Sequence, residues 1–161
     1  GGVQGVYRHA SQATGTDIVF SVYVPPHADG AKLPVVWYLS GLTCTHANVT
    51  EKGEYRATCA ELGLIFVAPD TSPRGPGVPT APEGQWDFGL GAGFYVDATE
   101  EPWAANYRMW TYVTDELPAL VSGLADLARL EVGQLRLPTA PPWGTDVLPP
   151  APRPRAHPPE V

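Results

Sequence analysis

Residues 33–45 read LPVVWYLSGLTCT, from Leu33 to Thr45. The first seven, Leu33–Leu39, form an unbroken apolar run between Gly30 and Gly41. Apolar residues without polar alternation fit a strand covered on both faces, as in a parallel sheet. The segment Ser40-Gly41-Leu42-Thr43-Cys44-Thr45 that follows is small and hydroxyl-rich. It allows the backbone to turn sharply at the C-terminal edge of the sheet, the edge where open α/β folds bind their ligands.

Outward from this run the chain alternates strand and helix. Val3–His9 is a weak strand candidate. Ile18–Val24 is a stronger one, β-branched and aromatic and closed by Pro25-Pro26. Thr50 is placed to cap a helix over Glu51–Leu62, with Tyr55, Cys59 and Leu62 on one face. Gly63 sits where a left-handed C-cap is favoured. Leu64–Ala68 is a second buried strand, ended by Pro69-Asp70, and a Gly- and Pro-rich loop runs from Thr71 to about Pro102. Asn106–Val121 then carries Trp110, Val113, Leu117, Leu120 and Val121 at helical spacing, with a kink expected at Pro118. This order predicts an α/β fold around a mixed, largely parallel sheet.

The 161 residues are 43% hydrophobic, enough for a core, and only 17% charged. The net charge of −7 disfavours nucleic acid or an anionic membrane surface as partner. No run of 18 apolar residues exists, so no membrane span is expected. The only Met is Met109, so the chain is expected either to be incomplete at its start or to have had a signal peptide removed. Cys44 and Cys59 are the only cysteines and do not make a zinc pattern; a reduced intracellular setting is expected in preference to a disulfide between them. Composition shifts near residue 121. Residues 1–121 hold every Phe and Tyr, and residues 122–137 are expected to be partly helical, over Leu124–Leu135. Residues 138–161 contain nine Pro in 24 positions and are expected to be disordered or polyproline-like.

Several residues are chemically suggestive. Ser40 and Cys44 are candidate nucleophiles with His46 close in sequence, but a nucleophile needs a base that faces it. Cys44 reads more simply as a polarizable lining residue. The turn after Leu39 reads either as a plain strand-to-helix connection or as a loop that offers an amide to an oxyanion. Arg74 reads either as a carboxylate ligand or as a surface residue capping carbonyls. The stretch Trp86–Tyr95 has glycines at 89, 91 and 93, which fits no phosphate-loop spacing. Interleaved aromatics suit a shaped loop beside an acyl or peptide-like ligand, whereas Trp103, Tyr107 and Trp110 read as core. The serines are Ser11, Ser21, Ser40, Ser72 and Ser122, and none lies in a GxSxG elbow. None of His9, His27, His46 and His157 is placed as a triad histidine would be.

Taken together, GGVQGVYRHAS, FSVYVPP, LPVVWYLSGLTCT, LIFVAPDTSPRG, WDFGLGAGFYVDAT and PWAANYRMWTYVTDELP closely resemble the S-formylglutathione hydrolase (esterase D) family over residues 1–121. The resemblance implies the N-terminal part of an α/β-hydrolase fold, incomplete here. It also implies a cytoplasmic serine hydrolase that needs no metal or cofactor, acts on a small thioester or ester, and often pairs as a homodimer. Leu42 matches the position whose N–H helps form the oxyanion hole. Gly41, Cys44 and Trp86 match residues lining the pocket. The pattern dissolves within residues 122–130, before the family's nucleophile elbow. No member of the Ser/Asp/His triad carries over, and the 161 residues alone are expected to be inactive. The tail's Pro, Arg and Ala content fits out-of-frame reading of GC-rich DNA better than a genuine shortened product. Two alternatives stand beside this reading. One is a non-catalytic interaction protein using Pro149–Pro159 as a polyproline ligand. The other is a related esterase with another acyl preference.

Overall fold

The structure is a computed structural model that describes residues 1–83, 85 and 87–127. The expectations for residues 138–161, and for a helix beyond residue 127, lie outside the described residues.

Four strands form one mixed sheet in the order β1-β2-β4-β3. β1 (Val3–Ala10) and β2 (Asp17–Val24) are antiparallel, since only six residues join them and a parallel pair needs a long crossover. β2 is also antiparallel to β4 (Ile65–Pro69), with Val22 opposite Val67. β3 (Val35–Trp37) runs parallel to β4, with Val36 opposite Phe66. The expected mixed sheet is therefore present, but among the described residues it is mostly antiparallel. Only one strand–helix–strand crossover, from β3 to β4, falls within them.

Strand alternation sorts the apolar side chains onto two faces. Ile18, Phe20 and Val22 of β2 join Ile65 and Val67 of β4 on one face, against Met109, Tyr112, Leu117, Val121 and Leu124. On the other face Tyr23, Phe66 and Ala68 meet Cys59, Tyr55 and Val49. The Tyr55 ring stacks on Phe66 at 3.9 Å between centroids. β4 is buried along its whole length, as an apolar strand between two helical layers must be.

β3 departs from the reading of Leu33–Leu39. It is three residues long rather than seven, and Val36, Tyr38 and Leu39 are 37%, 42% and 43% exposed. It pairs with β4 along one edge, and among the described residues nothing pairs with its other edge.

The single helix expected over Glu51–Leu62 is two. α1 (His46–Lys52) is capped by Thr45, which shares a capping box with Asn48, and it stops at Gly53. Thr50 lies inside it and bonds back to the His46 and Ala47 carbonyls. α2 (Tyr55–Leu62) ends on left-handed Gly63, as expected, but Leu62 is exposed. The later helical run is α3 (Met109–Thr111), a π-turn over Tyr112–Glu116, and α4 (Leu117–Leu127). Pro118 has no N–H to give to a carbonyl four residues back, and its ring crowds that carbonyl, so the preceding turn widens. The widening moves the buried face. Regular spacing back from Leu117 reaches Val113 and Trp110; the five-residue step reaches Tyr112 and then Met109. Trp110 is 51% exposed as a result.

This run is tied to the β1–β2 connection through Glu116. Its carboxylate accepts from the Gln12 and Ala13 N–H groups, each at 2.9 Å, and from the Ser11 hydroxyl at 2.8 Å. His9 lies beside it, buried, with Nε2 3.2 Å from the Tyr112 hydroxyl and Nδ1 3.7 Å from Glu116.

Two outcomes follow from this junction. Glu116→Ala leaves three donors without their shared acceptor and is expected to lower unfolding free energy by about 2–3 kcal/mol in urea denaturation. Burial holds the His9 imidazole below its ordinary pKa of 6.5, against a weaker opposing pull from Glu116. The unfolded chain therefore takes up the proton first as pH falls. Stability is fully present above pH 6.5 and is lost as pH drops through the depressed folded value. Denaturation midpoints measured between pH 7.5 and about 5 are expected to decline in the parent and to decline less in His9→Gln.

Candidate functional site

Because β3 and β4 are parallel, their C-terminal ends open side by side. Residues 38–45 leave one and residues 70–75 leave the other. The Cys44 N–H donates to the Gly41 carbonyl at 3.2 Å, closing a four-residue turn with Leu42 and Thr43 at its centre. Thr43 has φ of 64°, a left-handed conformation that is an outlier for a β-branched residue. Such strain costs about 1–3 kcal/mol and persists only when the surroundings impose it.

The surroundings do so from several sides. The Thr43 N–H donates to the Gly91 carbonyl at 2.6 Å. The Tyr95 hydroxyl donates to the Ser40 carbonyl at 2.8 Å. The Cys44 carbonyl accepts from the Thr71 hydroxyl at 2.6 Å and from Arg74 Nη2 at 3.0 Å. The Gly91 N–H is held in turn by the Ser72 hydroxyl at 2.7 Å. Burial, with Cys44 and Asp70 adding to it, pushes the Tyr95 phenol far above its usual range, so it stays a donor. Gly93 explains part of the glycine spacing. A Cβ there would lie 2.9 Å from the Gly41 carbonyl carbon and 3.0 Å from the Leu42 nitrogen. The glycine-rich loop is backbone packed against backbone.

Within this brace the Leu42 N–H has no hydrogen-bond partner among the described residues, and Leu42 is half-buried. Gly41 is exposed, Cys44 is a half-buried free thiol and Ser40 is buried. His46 does not serve Cys44 or Ser40. Asp70 Oδ1 accepts from its backbone N–H at 3.0 Å and contacts its Nδ1 at 2.7 Å. Asp70 is buried, and this pair fixes the start of α1 to the end of β4. Of the two readings of Arg74, the structure shows carbonyl capping. Trp86 lies outside the described residues. Beside the glycine-rich loop is a hollow lined by Ser72, Phe88, Phe94, Val96, Trp103 and Tyr107 among others. Trp103 and Tyr107 are thus half-buried hollow residues rather than core, and Phe88 meets Trp103 edge-on.

The roles of Tyr95, Thr71 and Asp70 were not readable from the sequence. Each acts on a backbone group or side chain 24 to 55 residues away. The one available signal was that Asp70, Thr71 and Arg74 follow the second buried strand at the same sheet edge.

The Esterase family model, described as "Putative esterase", matches residues 11–131. The chain belongs to the esterase family. It is 60% identical over 121 residues to an S-formylglutathione hydrolase of Paracoccus denitrificans, covering 75% of this chain and 43% of that protein. Against the Mus musculus S-formylglutathione hydrolase the identity is 51% over 122 residues, covering 76% and 43%. The solved S-formylglutathione hydrolase from Agrobacterium tumefaciens superposes with a TM-score of 0.72 at 60% identity, covering 76% of this chain and 44% of that one. The chain therefore spans less than half the length of these relatives and carries part of an α/β esterase fold. No helix among the described residues is long and apolar enough to cross a membrane.

Gly93 and Gly30 give a paired test of the close approach. Both have positive φ, 72° and 75°, but only Gly93 faces backbone; nothing lies within 4 Å of a Cβ at Gly30. Gly30→Ala is expected to cost about 1–2 kcal/mol from conformation alone. Gly93→Ala adds an overpacking cost of about 1–3 kcal/mol in denaturant melts, with the Leu42 and Thr43 amide resonances displaced.

Proposed function

We propose that this chain supplies the oxyanion-binding part of an esterase that hydrolyses small acyl thioesters and esters, S-formylglutathione foremost. The observation that carries the reading is the unpartnered Leu42 N–H, held in a strained and braced turn at the C-terminal edge of the β3–β4 ladder. Hydrolysis of a thioester passes through a tetrahedral oxyanion. An amide fixed before reaction stabilises that charge without having to reorganise. In this reading Leu42 provides one donor. Gly41, Cys44 and Trp86 border the acyl group, and the homologues' names support the choice of substrate.

The nucleophile and base are the other requirement. The 161 residues contain no GxSxG elbow, and His46 is engaged by Asp70. The proposed division of labour is that this segment holds the oxyanion, while serine attack and proton transfer belong to the portion of the relatives it does not span. A homodimer and a cytoplasmic setting belong to the same reading.

Two assays test it. The 161-residue chain alone is expected to hydrolyse S-formylglutathione and p-nitrophenyl acetate no faster than buffer; serine-inhibitor-sensitive turnover overturns the division of labour. In a chimera joining this segment to the C-terminal part of the Paracoccus relative, Leu42→Pro deletes the N–H at a turn position that favours proline. kcat is expected to fall about 10²–10³-fold with KM little changed. An unchanged kcat removes Leu42 from the site.

A further inference from the structure

We propose that Tyr95 and Arg74 are positioning residues for the Leu42 amide, gripping the carbonyls two residues before and two residues after it. The inference rests on the reading of that amide as an oxyanion donor. Tyr95 reaches across 55 residues to the Ser40 carbonyl, and Arg74 across 30 to the Cys44 carbonyl. The Tyr95 ring also packs against the first core cluster, but its hydroxyl and the Arg74 guanidinium both end on the turn.

The choice of groups is informative. A surface turn can have its carbonyls satisfied by water at little cost. Here a half-buried guanidinium is used instead, with its Nε buried and unpartnered among the described residues. Sequestering a cation to hold one neutral carbonyl is a poor way to gain stability. It is an effective way to fix a direction, because the guanidinium is planar and rigid. Nη2 also lies 3.4 Å from the Thr71 hydroxyl oxygen, which itself donates to Cys44. A Cβ on Gly91 would lie 3.4 Å from the same Nη2, and Gly91 is the residue whose carbonyl holds Thr43. Arg74 and Tyr95 thus close on the turn from two loops, 70–74 and 89–95, that meet through Ser72 and Gly91.

Native-state hydrogen exchange by NMR on the whole 161-residue chain tests this. The Thr43 and Cys44 amides report opening of the turn, and Phe66 and Val67 in β4 report global opening. Tyr95→Phe removes one neutral bond and is expected to speed Thr43 and Cys44 exchange about fivefold. Arg74→Lys keeps the charge but loses the planar fork, and is expected to speed them about tenfold or more. Phe66 and Val67 should not change, and the Leu42 ¹⁵N order parameter should fall from the rigid value of about 0.85 toward 0.6. Unchanged exchange at Thr43 and Cys44 in both variants overturns the proposal. So does acceleration by the same factor in β4, which would make the two residues ordinary structural supports. The measurement reads no turnover, so it fails or succeeds separately from the Leu42→Pro assay.

Discussion

Strand β4 has a different partner on each side: β2 antiparallel, β3 parallel. Its five residues are buried on both faces, so each side chain has one place to go. A slip of one residue would exchange Ile65 and Val67 with Phe66 and Ala68 between clusters of different shape. This fixed register decides where residues 70–74 emerge. Asp70 lands beside the start of α1, and Thr71 and Arg74 land beneath Cys44. The turn after β3 is short of internal bonds and takes its shape from these neighbours. The site is in this sense a consequence of the β4 register.

The energetics of the turn agree. Its single internal bond, Cys44 N–H to Gly41, is long at 3.2 Å, while Thr43 carries strain of about 1–3 kcal/mol. Four external bonds, from Tyr95, Thr71 and Arg74 and to Gly91, offset it at about 1 kcal/mol each. Margins that narrow are sensitive to any one bond. The glycine-rich loop contributes through what it lacks: Gly93 brings its backbone against the Gly41–Leu42 peptide because no Cβ intervenes.

Local chemistry made β2 and β4 legible in the sequence: β-branched and aromatic runs closed by proline, and a glycine at position 63 for a left-handed cap. The SGLTCT turn was legible as a candidate site because it follows the apolar run. What was not legible depended on other parts of the chain. The apolar run at 33–39 looked doubly buried, since composition records what a strand suits and not which neighbours are present. The helix over 51–62 broke because Gly53 ended α1 and Thr45, not Thr50, supplied the cap. Trp110 left the core because Pro118 widened the Tyr112–Glu116 turn that lies between them, a shift that no regular period contains. Arg74 was ambiguous because carbonyl capping and carboxylate binding use the same donors.

The brace also bears on how strong a donor Leu42 would be in its proposed role. The Leu42 N–H belongs to the same peptide unit as the Gly41 carbonyl, and that carbonyl accepts from Cys44. Accepting a bond draws electron density toward the carbonyl oxygen and leaves the N–H more positive. The preceding peptide unit is polarised the same way, because the Ser40 carbonyl accepts from Tyr95, whose phenol stays protonated. Arg74 places a cation on the Cys44 carbonyl at the far end of the turn. Asp70, the carboxylate at the end of the neighbouring strand β4, is engaged by His46. The contacts on the Gly41, Ser40 and Cys44 carbonyls thus favour an acceptor that carries negative charge over a neutral one. That difference is what separates stabilising an oxyanion from merely binding a carbonyl.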